Sequence, residues 1–140
     1  MRVVKFQAAH LDALDPQDAQ ASVVAGLRGD KAKALEGNCT FTCVDNDEVY
    51  CVFGWIVIYP HRAVMWSLLS KNAGPKMLAL TRIARGLLKD LSFKRLEIDV
   101  ALDFEAGNRW AKLMGFELEA ACLRNFSFDN KDSALYVRIK

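Results

Sequence analysis

The stretch "LLSKNAGPKMLALTRIARGLL", from Leu68 to Leu88, passes from the end of a strand through a short loop into a helix. The helix is the clearest in the chain, because its apolar residues recur at the spacing of one helical face: Leu80, Ile83, Ala84, Leu87, Leu88 and Leu91. A small-residue loop ahead of a helix can hold a phosphate, since backbone N–H groups and the helix dipole converge there. The same residues also fit an ordinary turn.

Upstream of this stretch the pattern predicts one strand, two short helices and a three-strand meander. The first strand is predicted over Val3–Gln7, and the helices lie within His10–Gly37, where Pro16 suits a first helical turn. The meander strands are predicted over Asn38–Val44, Glu48–Tyr59 and Ala63–Leu69. Between the first two of them, Asp45-Asn46-Asp47 is typical of a hairpin turn.

Downstream, strands and one more helix alternate. Arg95–Val100 alternates apolar and polar residues, which predicts a half-buried strand. Ala106–Met114 is predicted as a helix with Trp110, Leu113 and Met114 on its inner face, and Gly115 ends it. Two further strands are predicted over Phe116–Leu123 and Ala134–Ile139. This order predicts an α/β (α+β) fold in which helices flank a mixed central sheet.

Composition excludes several classes of protein. The 140 residues favour a single domain, 1–140, and 52% hydrophobic with 26% charged residues is ordinary for a globular chain. The net charge of +2 does not favour nucleic acid, and no apolar run approaches the roughly 18 residues that span a bilayer. Because Met1–Lys5 does not open a signal peptide, we expect a cytoplasmic protein without a membrane partner.

The four cysteines indicate neither a metal site nor disulfides. Cys39, Cys43, Cys51 and Cys122 contain no Cys-x-x-Cys pair, and the two histidines do not complete a zinc pattern. We therefore expect buried, reduced thiols that behave as small hydrophobic side chains.

The order of elements resembles that of the GNAT acyltransferase superfamily. Two stretches carry the resemblance: the loop and helix of Leu68–Leu88, and Asn108–Glu117, whose Gly115-Phe116 is similar to the family's late helix ending before a strand. The pattern is also similar to small GNAT-like proteins encoded by tailed phages. The resemblance implies the acyl-CoA N-acyltransferase fold.

The resemblance also implies an acetyl-CoA site. In the family, a loop of the form Gln/Arg-x-x-Gly-x-Gly/Ala wraps the pyrophosphate, and here it is matched by Lys71-x-x-Gly74-x-Lys76. Lys76 departs from the small final residue, and Pro75 removes one N–H donor. The implied cofactor-binding residues come from the strand, the loop and the late helix: Trp66, Leu68, Leu69, Lys71, Asn72, Ala73, Gly74, Lys76 and Asn108.

The catalytic groups are less defined. In the family a tyrosine on the late helix often protonates the leaving thiolate, but Ala111 stands at that position. Glu97 and Asp99 are candidate bases, with exposed polar positions on their strand as the alternative. Ser70 is a weak candidate proton donor near the implied pantetheine channel.

Two functions follow from the resemblance. The first is an N-acetyltransferase that moves an acetyl group from acetyl-CoA to a small-molecule or protein amine. The second is a catalytically degenerate GNAT-like protein, such as a phage accessory or virion-associated component, that acts through protein contacts. The expected partners are accordingly an amine acceptor, a second copy of the chain or a phage protein.

Overall fold

The computed structural model describes residues 1–37 and 39–140, and it contains a seven-stranded sheet with the strand order β1-β2-β3-β4-β5-β7-β6. The strands are β1 (Arg2–Lys5), β2 (Thr40–Asp45), β3 (Glu48–Tyr59), β4 (Arg62–Leu69), β5 (Arg95–Ala101), β6 (Glu117–Leu123) and β7 (Ser133–Ile139). Strands β4 and β5 are parallel, whereas the β1–β2, β2–β3, β5–β7 and β6–β7 pairs are antiparallel. The predicted mixed α/β sheet is confirmed.

Five α-helices accompany the described strands: α1 (Ala8–Ala13), α2 (Ala21–Leu27), α3 (Asp30–Ala34), α4 (Met77–Asp90) and α5 (Glu105–Leu113). The region predicted to hold two short helices therefore holds three, with a 3₁₀ turn at Asp18–Gln20. Pro16 does not start a helix, because it forms an isolated antiparallel bridge with Ser70. None of the helices in the described ranges is long and apolar enough to cross a bilayer.

The chain divides into two compact units. The first comprises residues 1–55 and 67–83, and the second comprises 56–66 and 84–140. The first has Leu11, Val24 and Val52 at its core, each fully buried. The second buries Leu96 and Phe116 among its apolar side chains. Whether 1–140 behaves as one domain stays a prediction.

The turn of the β2–β3 hairpin lies where the sequence predicts it. Asp45 pairs with Glu48, and the two residues between them, Asn46 and Asp47, have φ values of 48° and 63°. A two-residue turn with both φ values positive matches the twist of the strands it joins, and Asn and Asp tolerate this conformation. The predicted turn is confirmed. The predicted strand start at Asn38 lies outside the described residues.

The cysteine prediction is partly wrong. Cys43 and Cys51 are buried opposite each other in the β2–β3 ladder, as expected for small hydrophobic side chains. Cys39, however, is half-buried and Cys122 on β6 is exposed. All four are free thiols.

The inner face predicted for the late helix α5 is partly right, because Trp110 and Met114 are half-buried but Leu113 is not. Leu113 is 64% exposed, whereas Ala111 is buried. Gly107 faces inward, where an added Cβ would lie 2.5 Å from the Phe104 ring, so the helix packs closely against its neighbours. Gly115, at φ 92°, follows the helix in the left-handed conformation and confirms the predicted end.

Candidate functional site

Backbone N–H groups in the loop after β4 donate hydrogen bonds to carbonyl groups of the chain itself. Lys71 N–H donates to Asp15 O at 2.8 Å, and Ala73 N–H donates to Ser70 O at 3.0 Å. Lys76 N–H donates to Ala73 O at 2.8 Å. These amides are therefore satisfied by the chain itself and do not converge on an anion.

Ser70 organises the start of this loop. Its hydroxyl accepts the Asn72 N–H at 3.0 Å, and its own N–H donates to Tyr50 O at 2.9 Å. The side chain is buried within this turn. Ser70 thus holds the loop's shape, which argues against the proton-donor role predicted for it.

Both loop lysines have acidic partners. Lys71 Nζ lies 2.7 Å from Asp15 Oδ2, and Lys76 Nζ lies 2.8 Å from Asp45 Oδ2. The hydrogen bonds to these carboxylates raise the pKa of each lysine. Exposed ion pairs of this kind are weak because water screens them, so a multivalent anion can displace either carboxylate.

Asn72 joins a small polar cluster with two β3 residues. Its Nδ2 donates to Glu48 Oε1 at 3.1 Å, and Tyr50 Oη donates to Glu48 Oε2 at 2.8 Å. The Tyr50 bond chiefly lowers the pKa of Glu48 and raises the pKa of Tyr50. The Asn72 side chain is thereby oriented toward β3.

The segment 15–20 pairs with the last residues of β4. Gln17 N–H donates to Leu69 O at 3.0 Å, and Leu69 N–H donates to Gln20 Oε1 at 2.9 Å. Gln20 Nε2 donates to Ser67 O at 2.8 Å. The backbone groups of Leu69 predicted to pair with pantetheine are therefore already bonded, and Leu68 is buried.

In the second unit, β4 and β5 separate after a short parallel pairing. The paired positions run from Arg62 opposite Arg95 to Val64 opposite Glu97, and no further pair joins the two strands in the described part of the chain. Both strands continue beyond this point, with Met65 and Trp66 following on β4. The separated strands leave room for an added strand-like ligand only before Ser67, because the Ser67 and Leu69 backbone groups are bonded to Gln17 and Gln20.

Glu97 lies at the point where this pairing ends and is not an exposed residue. It is 5% exposed and forms ion pairs with Arg62 and with Arg95, the latter at 3.1 Å. The hydrogen bond from Arg62 is the main cause that lowers the pKa of its carboxyl. The predicted exposed position of Glu97 is therefore wrong, and its predicted role as a base stays a prediction; in the structure Glu97 bonds two arginines.

Asp99 has different surroundings from Glu97. It lies two residues further along β5, beyond the paired segment, and its side chain reaches solvent. Desolvation by the neighbouring protein nevertheless raises the pKa of Asp99. A carboxylate with a raised pKa is a better proton acceptor than an ordinary aspartate.

Both polar atoms of the Asn108 side-chain amide form hydrogen bonds within the protein. Nδ2 donates to Ala101 O at 2.9 Å and to Phe104 O at 2.8 Å, while Oδ1 accepts from Tyr136 Oη at 2.7 Å. It fastens the start of α5 to the end of β5. Tyr136 on β7, which donates this hydrogen bond, was missed by sequence reasoning, which looked for a phenol on the helix itself.

Comparison with known proteins identifies the fold. No protein-family model and none of the curated proteins matches the chain. Solved structures do match, including Ard1 from Thermoplasma volcanium (TM-score 0.73, 16% identity, 99% of this chain and 96% of that one). A GNAT-family acetyltransferase from Bacillus anthracis matches at TM-score 0.70 and 12% identity over 98% and 93% of the two chains. A variant of the spermidine N-acetyltransferase SpeG from Vibrio cholerae matches at TM-score 0.66 and 14% identity over 99% and 95%.

At these identities the likeness establishes the fold: the chain has the architecture of GNAT acetyltransferases. The predicted fold class is therefore confirmed.

Proposed function

We propose that this protein is an N-acetyltransferase that transfers an acetyl group from acetyl-CoA to an amine. The observation that carries the proposal is the end of the β4–β5 pairing at Val64 and Glu97, beyond which no pair joins these two strands in the described residues. The family resemblance puts the pantetheine arm at such an opening. The fold shared with solved acetyltransferases supports the same activity.

The two ends of the cofactor fit this chain to different degrees. The opening suits pantetheine, because Met65 and Trp66 extend β4 beyond its last pair with β5. Lys71 and Lys76 in the loop supply positive charge to a diphosphate, whereas the loop's backbone amides do not converge on it. Their exposed ion pairs are weak enough to exchange, and the Gly74 side of the loop is open. We therefore propose these two lysines as the diphosphate contacts.

Acetyl-CoA, when bound, would supply an acyl thioester at the opening. An amine acceptor must lose a proton before it attacks, and we assign Asp99 to accept it, because the raised pKa of Asp99 favours proton uptake. Glu97 would hold Arg62 and Arg95 beside it rather than move protons. The class of amine is not specified by these residues.

A calorimetric titration with acetyl-CoA tests the binding step. Gly74→Glu should weaken binding at least about tenfold, because a carboxylate there repels the diphosphate while remaining compatible with a helix N-terminus. Gly86→Glu is the matched control: it lies on α4, which follows the 3₁₀ turn that holds Gly74, and an added Cβ at either glycine meets no atom within 4 Å. Absence of both heat and thermal shift with the unmodified protein would refute the proposal.

Two observations favour a second function, binding without acetyl transfer. The loop amides are satisfied internally, and Ala111, where the family often has a tyrosine, is buried. Release of free thiol from acetyl-CoA with an amine panel that includes spermidine separates the two functions. Binding without release would favour a non-catalytic protein acting on a protein partner. None of the structures named above is described as a phage protein, so we do not extend this candidate to a phage role.

A further inference from the structure

Residues 15–20, which lie between α1 and α2, run along the end of β4 as an added strand would, and we call this segment the strap. Pro16 forms an antiparallel bridge with Ser70. Beside this bridge, the Gln17 N–H donates to Leu69 O at 3.0 Å. The strap therefore supplies hydrogen-bond partners to a strand end that would otherwise be open on one side.

The bonds between the strap and β4 lie on the edge of β4 that faces away from β3. Ser70 N–H donates to Tyr50 O on β3 at 2.9 Å. Since neighbouring residues of a strand direct their backbone groups to opposite edges, Leu69 directs its own to the other edge. There its N–H donates to Gln20 Oε1 at 2.9 Å, and its carbonyl accepts the Gln17 N–H. A ligand that extends along this edge toward the loop needs the same backbone groups.

The strap also holds the charge of Lys71. Asp15 Oδ2 lies 2.7 Å from Lys71 Nζ, and Asp15 O accepts the Lys71 N–H at 2.8 Å. The hydrogen bond to Asp15, with a smaller contribution from the charge of Asp18, raises the pKa of Lys71. A phosphate at Lys71 would meet these two carboxylates as like charges. The strap and a bound diphosphate therefore exclude each other at Lys71.

Little buried surface holds the strap in place. None of its six residues is fully buried, whereas Leu14 before it and Val24 after it are 1% and 0% exposed. Opening the strap thus breaks a few hydrogen bonds but leaves the apolar anchors on either side in the core. Segments held in this way open more readily than the rest of a protein.

We propose, on the basis of the acetyl-CoA site proposed above, that the strap is an internal competitor for that site. The strap closes on Lys71 when no anion is bound, and it leaves the β4 edge when the diphosphate takes Lys71. The Asp15 carboxylate then gives up the ammonium group to a phosphate, and the backbone groups of Leu69 become free for the ligand. Because only the open fraction of the protein binds, the strap lowers the apparent affinity for acetyl-CoA.

A reversible crosslink between the strap and β4 tests the proposal. The backbone bonds flank the Pro16–Ser70 pair, and the Cα atoms of such a pair lie about 4.5 Å apart, within the range of a disulfide. The variant combines Pro16→Cys and Ser70→Cys with Cys122→Ser, which removes the exposed native thiol. Oxidised glutathione should take two electrons and two protons from the two new thiols, leaving one intramolecular disulfide and two molecules of glutathione.

Calorimetry with acetyl-CoA compares the two states of this variant. The oxidised protein should bind with a Kd at least about tenfold higher than the same protein reduced by dithiothreitol, because the crosslinked strap cannot open. Cys122→Ser alone is the control and should respond to neither reagent. Equal Kd values in the two states would overturn the strap and leave the acetyl-CoA site standing. Absence of binding in the control would refute the acetyl-CoA site, and the strap with it.

Hydrogen exchange tests the same point on the unmodified protein. Saturating acetyl-CoA should speed the exchange of the Gln17 N–H by about tenfold or more, because opening the strap removes its bond to Leu69 O. The Ser70 N–H is the control, since it bonds to Tyr50 O on the opposite edge and should exchange no faster. Binding that slows the exchange of Gln17, or leaves it unchanged, contradicts the proposal.

Discussion

Gln20 and Leu69 are joined across 49 positions of sequence by one hydrogen bond, in which the Leu69 N–H donates to Gln20 Oε1 at 2.9 Å. The same side-chain amide donates to Ser67 O at 2.8 Å, so one glutamine satisfies two backbone groups on β4. The Gln20 side-chain amide satisfies β4 backbone groups that a neighbouring strand would otherwise pair with. It thereby holds the end of β4 that leads into the Lys71–Lys76 loop.

Replacing Gln20 should therefore destabilise the protein. Gln20→Leu leaves Ser67 O and Leu69 N–H without their partner and should lower the unfolding free energy by about 1–3 kcal/mol. Gln17→Leu is the control, because Gln17 meets Leu69 through its main-chain N–H. Urea denaturation measures both. Equal midpoints for the two variants would show that the Gln20 amide contributes little.

Removing the negative charge of Glu97 should remove its ion pairs with Arg62 and Arg95 and so lower the stability of the protein. Glu97→Gln leaves Arg62 and Arg95 without their shared carboxylate and should cost about 2 kcal/mol, less than a fully buried pair because Arg62 is partly exposed. Glu119→Gln, which removes the more exposed carboxylate bonded to Arg95, should cost less.

The same residue predicts a pH dependence. The folded-state pKa of Glu97 is lowered from its ordinary value of 4.5, so the unfolded chain binds the proton more readily. The stabilisation is present above about pH 4.5 and is lost as pH falls through the lower, folded-state pKa. Denaturation midpoints followed into acid should fall less steeply for Glu97→Gln than for the unmodified protein. Parallel curves would contradict this assignment.

The ionisation of Asp99 should affect stability in the opposite sense to that of Glu97. Desolvation raises its pKa above 3.8, so its ionisation opposes folding as pH rises through the folded-state value. Asp99→Asn should therefore leave stability at pH 7 unchanged or slightly higher. If the protein transfers acetyl groups as proposed, the variant should also lower kcat by roughly 100-fold or more. Asp90→Asn on α4 is the control, and a loss of stability without a loss of turnover would assign Asp99 a structural role.

Replacing Gly107 or Gly86 by alanine should change the stability of the protein in opposite directions. At Gly107 an added Cβ lies 2.5 Å from Phe104 Cδ2 and 2.9 Å from Val100 Cγ1, so Gly107→Ala should destabilise by about 1–3 kcal/mol. At Gly86 it meets nothing within 4 Å, so Gly86→Ala should stabilise α4 by about 0.5–1 kcal/mol. Thermal unfolding of both variants measures the difference, and the same sign for both would contradict the packing of α5.

The local parts of the fold could be read from the sequence because their causes are local. The α4 apolar face, the Asn46-Asp47 turn and the stop at Gly115 depend on periodicity or on backbone conformations that a few residue types favour. The boundaries of α5 were predicted within one residue, and Trp110 and Met114 of its predicted inner face are half-buried, but Leu113 is exposed. Which side of a helix packs inward depends on neighbours such as Phe104 and on how closely Gly107 lets them approach.

The candidate site depended on contacts that no local pattern contains. Sequence alone determined that a glycine-containing loop with two lysines precedes the Met77 helix, and that Glu97 and Asp99 share one strand. Only the tertiary structure decided that Asp15 and Asp45 pair with those lysines, and that arginines surround Glu97 but not Asp99. The physical reason is that spacing along the chain sets backbone geometry, whereas protonation and hydrogen bonding are set by groups brought close from distant positions.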